Sequence, residues 1–279
     1  MNPVDHAIIA FLNQFAQRSC AFDSLVVLLA TNYLLKTGLI VALMFWLWFR
    51  NDEKSADRRA TLVFGLVAST AAVVLARLLS FAVTFRERPL RNPDLHFVLP
   101  NAVGSQAILG WNSFPSDNAT LFFGIATCIF LVSRRGGVLA LWHTFVVVGL
   151  ARVYLGFHYP TDILAGALIG AGTVSLVAIP SLKTAVTRLP MRWMKEHPPS
   201  FHAALGLGVF LISTTFEPLY PIVRVSARLA EPTIEALRVE RLPEALLIIS
   251  ALIFLAIALA FSHRRKPTDR RHRPLIHRS

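Results

Sequence analysis

The stretch from Thr61 to Phe85 reads TLVFGLVASTAAVVLARLLSFAVTF, and its only charged residue is Arg77. A helix needs about 20 predominantly apolar residues to cross the roughly 30 Å hydrocarbon layer of a bilayer. This stretch therefore predicts a transmembrane helix. The composition agrees, because 54% of the 279 residues are hydrophobic, 16% are charged and the mean hydropathy is +0.55. The hydrophobic share and the mean hydropathy exceed those of ordinary soluble domains, and the charged share lies below their usual ~25%.

Similar apolar runs recur along the chain and predict further spans. They lie at Tyr33–Phe49, Ser116–Ser133, Gly137–Phe157, Asp162–Ile179, Phe201–Phe216 and Glu244–Ser262. The expected fold is an all-α, polytopic transmembrane helix bundle of about six or seven spans. The segment Ala7–Phe15 is apolar but contains polar residues, which predicts a short N-terminal interfacial helix. The run Phe22–Ala30 is compatible with a half-span or with the beginning of the first crossing.

The sequence divides into three parts by the position of its polar residues. Residues 1–32 form the N-terminal interfacial segment, 33–182 a transmembrane core that contains the unusual polar residues, and 183–279 two additional spans with a basic cytoplasmic tail. The predicted spans of the third part are compatible with packing, oligomerisation or shaping a lipid entry. Within the core, Gly166 and Gly170 have the spacing of closely packed helices.

The net charge of +12 comes from basic residues that cluster between the predicted spans. The clusters are Lys54, Arg58 and Arg59; Arg134 and Arg135; Lys183, Arg188, Arg192 and Lys195; and the tail from Arg264 to Arg278. With seven crossings all of them fall on one side, which the positive-inside rule makes cytoplasmic. The expected partners of the tail are anionic membrane lipids rather than nucleic acid. Cys20 and Cys128 indicate neither a disulfide framework nor a metal cluster.

Two arginines lie at or near the predicted outer end of the Thr61–Phe85 span. Arg77 lies inside the span, about 12 Å from that end at ~1.5 Å per residue, and Arg88 follows just beyond it. Charged side chains at membrane depth usually face a protein cavity. A guanidinium suits bidentate recognition of phosphate. Snorkelling to the interface is the alternative role for Arg77.

The span Ser116–Ser133 begins with Ser116, Asp117 and Asn118, directly after Pro115. Proline and serine at a helix start are ordinary capping residues. The free N–H groups of a helix N-terminus also form an anion site, which places Ser116 and Asp117 among the predicted phosphate-binding residues. By the predicted topology this end faces outwards.

Arg152, His158 and Asp162 lie at the outer mouth of the next predicted hairpin. A carboxylate close to one imidazole nitrogen can orient the other towards a substrate. Their spacing, beside two further basic sites, predicts a functional site. His143 lies within a span and has no charged neighbour in sequence, so an interhelical hydrogen bond is the expected role.

These segments resemble the type 2 phosphatidic acid phosphatase superfamily over roughly residues 61–179. The pattern of that family is Lys, six residues, Arg-Pro; then Pro-Ser-Gly-His; then Ser-Arg, five residues, His, three residues, Asp. Arg152, His158 and Asp162 match the third motif at the family spacing, with Ala151 in place of its serine.

The resemblance implies a role for each matching residue. His158 would be the nucleophile that forms a phosphohistidine, and Asp162 would orient it and stabilise its charge. Arg88, Arg152, Ser116 and backbone N–H groups at the start of the third span would hold the phosphoryl oxygens. The family needs no metal ion and no cofactor.

The chain departs from the first motif at its lysine, which is Phe81 here. Arg77 lies one helical turn earlier on nearly the same face. We expect Arg77 to replace the lysine and bind phosphate; Arg86 is a rival.

The second departure is Asp117-Asn118 in place of the family Gly-His. The family assigns that histidine to protonation of the leaving group, and Asn118 cannot act as a general acid. A lipid alkoxide needs that proton, whereas a leaving phosphate, with a second pKa of about 6, does not. The sequence therefore favours a lipid diphosphate over a monophosphate. Asp117 and His96 are alternative proton donors, and an engineered substitution is a further explanation for Asn118.

The resemblance implies a bacterial inner-membrane lipid phosphatase, and the placement of the basic clusters predicts that its site faces the periplasm. Its expected substrate is undecaprenyl diphosphate, which cell-wall polymerisation leaves on the outer leaflet. Two alternatives stay open. One is a phosphotransferase of the same fold that passes phosphate to lipid A or another acceptor. The other is a lipid-binding or transport protein with an impaired site, for which Asn118 is the main support.

Overall fold

The structure is a computed structural model that describes residues 2–103 and 112–214, and its regular elements within those ranges are helices. The α-helices are α1 (Pro3–Asn13), α2 (Cys20–Thr31), α3 (Tyr33–Phe49), α4 (Ser55–Ala82), α5 (Asp117–Val132), α6 (Arg134–His143), α7 (Ala151–Tyr154), α8 (Pro160–Ser175), α9 (Pro180–Glu196) and α10 (Pro198–Ser213). A π-helical segment, Thr144–Leu150, joins α6 to α7. Short 3₁₀ turns lie between α4 and α5, at Pro89–Arg91 and Pro93–Leu95, and after α8, at Leu176–Ala178.

In the described ranges, three helical segments are long and apolar enough to cross a membrane. They are Ser55–Ala82, Arg134–Tyr154 and Pro160–Ala178, and the α2–α3 pair, bent by 51°, makes a fourth if it is one span. Helices α5 and α10 have 16 residues each, about 24 Å at ~1.5 Å per residue. That length falls short of the hydrocarbon layer, so the predicted six or seven spans are not confirmed. The predicted span Glu244–Ser262 and the basic tail lie outside the described residues.

Helix α5 lies at the centre of the bundle and packs against α4, α6 and α8. Its sequence is apolar on nearly all sides after the first turn, which is typical of a helix surrounded by others. The predicted close packing at Gly166 and Gly170 is confirmed. A Cβ on Gly166 would lie 2.5 Å from the Ser116 carbonyl oxygen, and one on Gly170 would overlap the carbonyl of Thr120.

Helix α4 ends at Ala82, three residues before the end that the hydropathy predicts. Val83 is already extended, and the charged segment leading to Pro89 follows. Arg77 therefore lies five residues from the helix end, about 7.5 Å at ~1.5 Å per residue, rather than 12 Å. The shorter helix places Arg77 close to the loop that carries Arg88.

The basic stretch after α8 forms most of helix α9. Its Lys183 donates to Asp57 of α4 at 2.6 Å, and its Trp193 packs edge-on against Phe201 of α10. The N-terminal helices lie at the other end of the bundle, where α1 contacts α7 and α8 and α2 contacts α7. The interfacial placement of α1 stays a prediction.

Candidate active site

Three segments that are far apart in sequence meet at one end of the bundle. They are the loop after α4, the start of α5 and the turn between α7 and α8. Arg88 Nη1 lies 3.2 Å from His158 Nε2, and Ser113 Oγ donates to Asp162 Oδ2 at 2.5 Å. The backbone N–H of Ser116 donates to the Asp162 carbonyl at 3.2 Å. The fold therefore brings together the motifs of the family pattern.

The turn that carries His158 depends on a glycine. Gly156 has a φ of +69°, a left-handed conformation that favours glycine, and its side-chain position is filled by Phe97 and Leu90. Its carbonyl accepts a hydrogen bond from the Leu90 N–H at 3.0 Å. Pro160 then begins α8. The turn leaves His158 buried between two helices, against the loop after α4.

The hydrogen bonds of His158 assign its tautomer. Nδ1 lies 2.9 Å from the Ser113 carbonyl oxygen, which can only accept, so Nδ1 carries the proton. Nε2 then holds the lone pair and accepts from Arg88, because a guanidinium has no lone pair to offer. Burial, followed by the nearby charge of Arg88, lowers the pKa of His158 to about 3. The imidazole is therefore neutral and has a nucleophilic nitrogen at Nε2.

Asp162 is fully buried and is held by several donors. Its Oδ2 accepts from Ser113 Oγ and, at 2.8 Å, from the Tyr159 N–H, while its Oδ1 accepts from Arg86 at 2.6 Å. His158 Nδ1 is 3.7 Å from Oδ2, too far for a hydrogen bond. In this state the carbonyl of Ser113, and not Asp162, accepts the hydrogen bond of the imidazole. Asp162 supplies negative charge beside it and orders the surrounding turn.

Arginines concentrate positive charge around His158. Arg88 is buried and donates to the Phe157 carbonyl at 2.5 Å as well as to the imidazole. Burial, followed by repulsion from the charges of Arg152 and Arg77, lowers the pKa of Arg88 to about 9. Positive charges that repel one another in this way are typical of a site that binds an anion. The cluster suits the three oxygens of a phosphoryl group, which require stabilisation by fixed positive charge.

Arg77 and Asp117, both predicted to bind phosphate, form a buried ion pair with each other. The pair links α4 to the first turn of α5. Its carboxylate is engaged by a guanidinium and is not placed as a proton donor. The alternative donor His96 is exposed at the end of a 3₁₀ turn.

The start of α5 uses its serine as a cap. Ser116 Oγ accepts from the Ala119 N–H at 3.4 Å, and Asn118 is half-buried in the first turn. The capping role is thus observed, and phosphate binding by Ser116 stays a prediction. Elsewhere, the hydrogen bond expected of His143 is confirmed, because its Nε2 lies 3.1 Å from the Lys36 carbonyl oxygen on α3.

Sequence reasoning missed two residues of this site. Ser113 contacts both His158 and Asp162, and Asp5 contacts Arg86 and Thr161. Ser113 precedes the Pro-Ser motif by only two positions, which was a usable signal. Asp5 lies in the N-terminal helix, and nothing local marks it. In residues 2–103 and 112–214, no group of three or more His, Cys, Asp or Glu side chains is arranged to hold a metal ion.

Comparison with known proteins supports the family resemblance. Residues 82–185 match the family model described as PAP2 superfamily. The bacitracin transport permease protein BcrC of Bacillus licheniformis is 29% identical over 162 residues, 57% of this chain and 72% of that protein. The undecaprenyl-diphosphatase BcrC of Bacillus subtilis (strain 168) is 24% identical over 169 residues, 60% of this chain and 78% of that protein.

The lipid A 1-diphosphate synthase of Escherichia coli (strain K12) is 29% identical over 184 residues, 64% of this chain and 74% of that protein. No solved structure matches the chain. The matched region 82–185 contains Arg88, the start of α5 and the turn that carries His158. The part of the chain that carries the candidate site therefore matches the PAP2 superfamily.

Proposed function

We propose that this protein is a membrane lipid phosphatase that hydrolyses undecaprenyl diphosphate through a phosphohistidine at His158. One observation carries the proposal: the neutral His158 directs the Nε2 lone pair at the guanidinium of Arg88, within a cluster of arginines. A nucleophile beside fixed positive charge is suited to phosphoryl transfer. The name of the Bacillus subtilis relative supports a prenyl diphosphate as the substrate.

The reaction has two steps. Nε2 of His158 attacks the terminal phosphorus, the bridging P–O bond breaks, and its electron pair leaves on the oxygen of the lipid monophosphate. The imidazole gains positive charge while Nδ1 keeps its proton, and the buried carboxylate of Asp162 at 3.7 Å offsets that charge. Water then attacks the phosphohistidine, the N–P bond breaks, and phosphate leaves. The proton of the water passes to the solvent or the departing phosphate.

Asn118 sets the expected preference of this site. A leaving lipid monophosphate carries a second pKa of about 6 and departs as an anion. A leaving alkoxide needs a proton, and general acid catalysis contributes about 10²–10⁴-fold in rate. Asn118 offers only a hydrogen bond, and Asp117 is engaged by Arg77. The site is therefore expected to cleave diphosphates well and monophosphates slowly.

The proposal also includes the placement of the protein. We propose that it crosses a bacterial inner membrane six or seven times, with α5 and α10 completing short crossings. The basic clusters then face the cytoplasm and the site faces the periplasm. Labelling of single cysteines introduced at Arg135 and Asp94, with a membrane-impermeant maleimide on intact spheroplasts, tests this orientation. Labelling at Asp94 alone is expected, and labelling at Arg135 alone contradicts the placement.

A substrate panel tests the activity. Purified protein in detergent is incubated with undecaprenyl diphosphate, undecaprenyl monophosphate and phosphatidic acid, and released phosphate is measured. Release from the diphosphate at least tenfold faster than from either monoester is expected. His158→Ala should abolish it, whereas Arg135→Ala, an exposed residue at the other end of the bundle, should leave it unchanged. Absence of release from every prenyl diphosphate contradicts the proposal.

A phosphotransferase is the second candidate, and the match to lipid A 1-diphosphate synthase favours it. Both reactions pass through a phosphohistidine and differ in whether water or a lipid removes the phosphoryl group. Undecaprenyl diphosphate labelled with ³²P on the terminal phosphate separates them when lipid A is supplied. Label in free phosphate supports the phosphatase, and label in lipid A supports the transferase. Binding without either product supports the impaired lipid-binding alternative.

A further inference from the structure

Arg86 connects two buried carboxylates that lie far apart in sequence. Its Nη1 donates to Asp162 Oδ1 at 2.6 Å, and its Nη2 donates to Asp5 Oδ2 at 2.6 Å. The guanidinium also lies 3.8 Å from the centre of the Tyr159 ring. A planar fork with fixed donor directions holds both acceptors in one geometry. Arg86 is thus committed to neighbouring protein groups, unlike Arg88, which faces the nucleophile.

Asp5 belongs to helix α1 and reaches the first turn of α8. Its Oδ1 accepts from the Thr161 N–H at 2.9 Å, and its Oδ2 accepts from Thr161 Oγ1 at 2.6 Å. The carboxylate is fully buried, so its charge needs these partners. Thr161 Oγ1 also lies 2.9 Å from Arg86 Nη1, which closes the network.

This network controls the position of Asp162. The Oδ1 atom of Asp162 is held by Arg86, while Oδ2 takes the hydrogen bonds of Ser113 and Tyr159. The carbonyl of Ser113 in turn accepts the hydrogen bond of His158 Nδ1. A rotation of Asp162 would therefore disturb the groups that set the direction of the nucleophile. Small misplacements of reacting groups are costly, with losses of about 100-fold for roughly 1 Å.

We propose that Asp5 and Arg86 are positioning residues, through which helix α1 holds the His158–Asp162 pair in its reactive geometry. This inference rests on the proposed phosphatase activity. It extends the site to a helix outside the region 82–185 that matches the family model. Asp5 balances the charge of Arg86, so that Arg86 serves Asp162 instead of the substrate.

The test compares Asp5→Asn, Arg86→Lys and the double variant with the wild type, using undecaprenyl diphosphate. Asparagine keeps the shape and loses the charge, and lysine keeps the charge but cannot donate along two fixed directions. Each single variant should lower kcat by about tenfold or more, with KM within about threefold, because Asp5 and Arg86 do not touch the substrate. The kcat of the double variant should lie within about twofold of the kcat of the more impaired single variant, because both changes break one network.

Asp23→Asn is the matched control. Asp23 is equally buried, lies in the N-terminal segment, and accepts hydrogen bonds from Gln17, Asn101 and Tyr154, none of which is in the Asp5 network. It should lower the unfolding temperature as much as Asp5→Asn does, with kcat per folded protein within twofold of wild type. Thermal unfolding gives the folded fraction of each variant, and each rate is divided by that fraction.

The outcomes separate the two proposals. A wild type without turnover contradicts the proposed function. An active wild type with Asp5→Asn at wild-type kcat overturns the positioning role alone. Equal kcat losses in Asp5→Asn and Asp23→Asn also overturn it, because they reduce Asp5 to a stabilising contact. Should Asp5→Asn not fold, Arg86→Lys at wild-type kcat overturns the inference on its own.

Discussion

Arg88 Nη1 lies 3.2 Å from His158 Nε2, so a guanidinium donates to the nitrogen that attacks phosphorus in the proposed reaction. The contact covers the lone pair in this state. A phosphoryl group entering beside Arg88 offers charged oxygens, which are better acceptors than a neutral imidazole. The guanidinium would then move from Nε2 to the phosphate, and substrate binding itself would free the nucleophile.

Arg88→Lys should therefore impair the enzyme although it keeps the charge. A lysine lacks the fork that bridges the Phe157 carbonyl and the substrate, and loss of one such donor costs about 10²–10³-fold in kcat. Steady-state kinetics with undecaprenyl diphosphate measures the effect, with Arg135→Lys as the control. A kcat/KM within threefold of wild type would remove Arg88 from the proposed mechanism.

The rate should not depend on the protonation of His158 near neutral pH. Burial lowers its pKa to about 3, whereas a free imidazole has a pKa near 6.5. The reactive neutral form therefore persists as pH falls through 6.5. Any acid limb in kcat/KM between pH 4.5 and 8 should coincide with the substrate's own ionisation, measured by ³¹P NMR. An additional limb at pH 6–7 in the wild type would show that His158 titrates normally.

The same pKa shift predicts a loss of stability in acid. The unfolded chain takes up a proton at His158 below about pH 6.5, and the folded protein resists that proton until about pH 3. The stabilisation from neutral His158 is thus full above pH 6.5 and declines as pH falls towards 3. The unfolding temperature of the wild type, measured relative to that of His158→Gln, should fall as the pH is lowered from 7 to 5. A difference independent of pH would contradict the shift.

Replacing Asn118 by histidine should restore a general acid to the site. Hydrolysis of phosphatidic acid should rise at least about tenfold, because alkoxide departure gains from general acid catalysis worth about 10²–10⁴-fold. Hydrolysis of the diphosphate should change by less than threefold. Asn118→Ala controls for loss of the amide and should raise neither rate. Equal gains on both substrates would mean that the leaving group does not explain the preference.

Gly170 is predicted to be essential for the packing of α8 on α5. A Cβ there overlaps the Thr120 carbonyl, and overpacking of this kind costs about 1–3 kcal/mol. Gly172, on the same helix, has nothing within 4 Å of its Cβ position. Gly170→Ala should lower the unfolding temperature in detergent, whereas Gly172→Ala should keep or raise it. Equal effects of the two substitutions would refute the close contact.

Two features could be recognised in the sequence because each lies within a short stretch of chain. They are the spacing of Arg152, His158 and Asp162, and the pair Gly166 and Gly170. Helical periodicity and turn chemistry bring such residues to a predictable place. The end of α4 was harder to predict, because apolar residues continue to Phe85 whereas the helix ends at Ala82. Hydropathy records which residues are apolar, and it does not record where the backbone leaves the helix.

The sequence by itself determined that this chain is built largely from apolar helices and carries a histidine and a carboxylate at the spacing of the third motif of the family pattern. Only the tertiary structure decided which arginine serves which partner. Arg77 pairs with Asp117, Arg88 faces His158, and Arg86 joins Asp162 to Asp5, 81 residues away. The physical reason is that a buried charge is stabilised by whatever group the fold brings within hydrogen-bond distance. No local pattern records that partner when it lies on another helix.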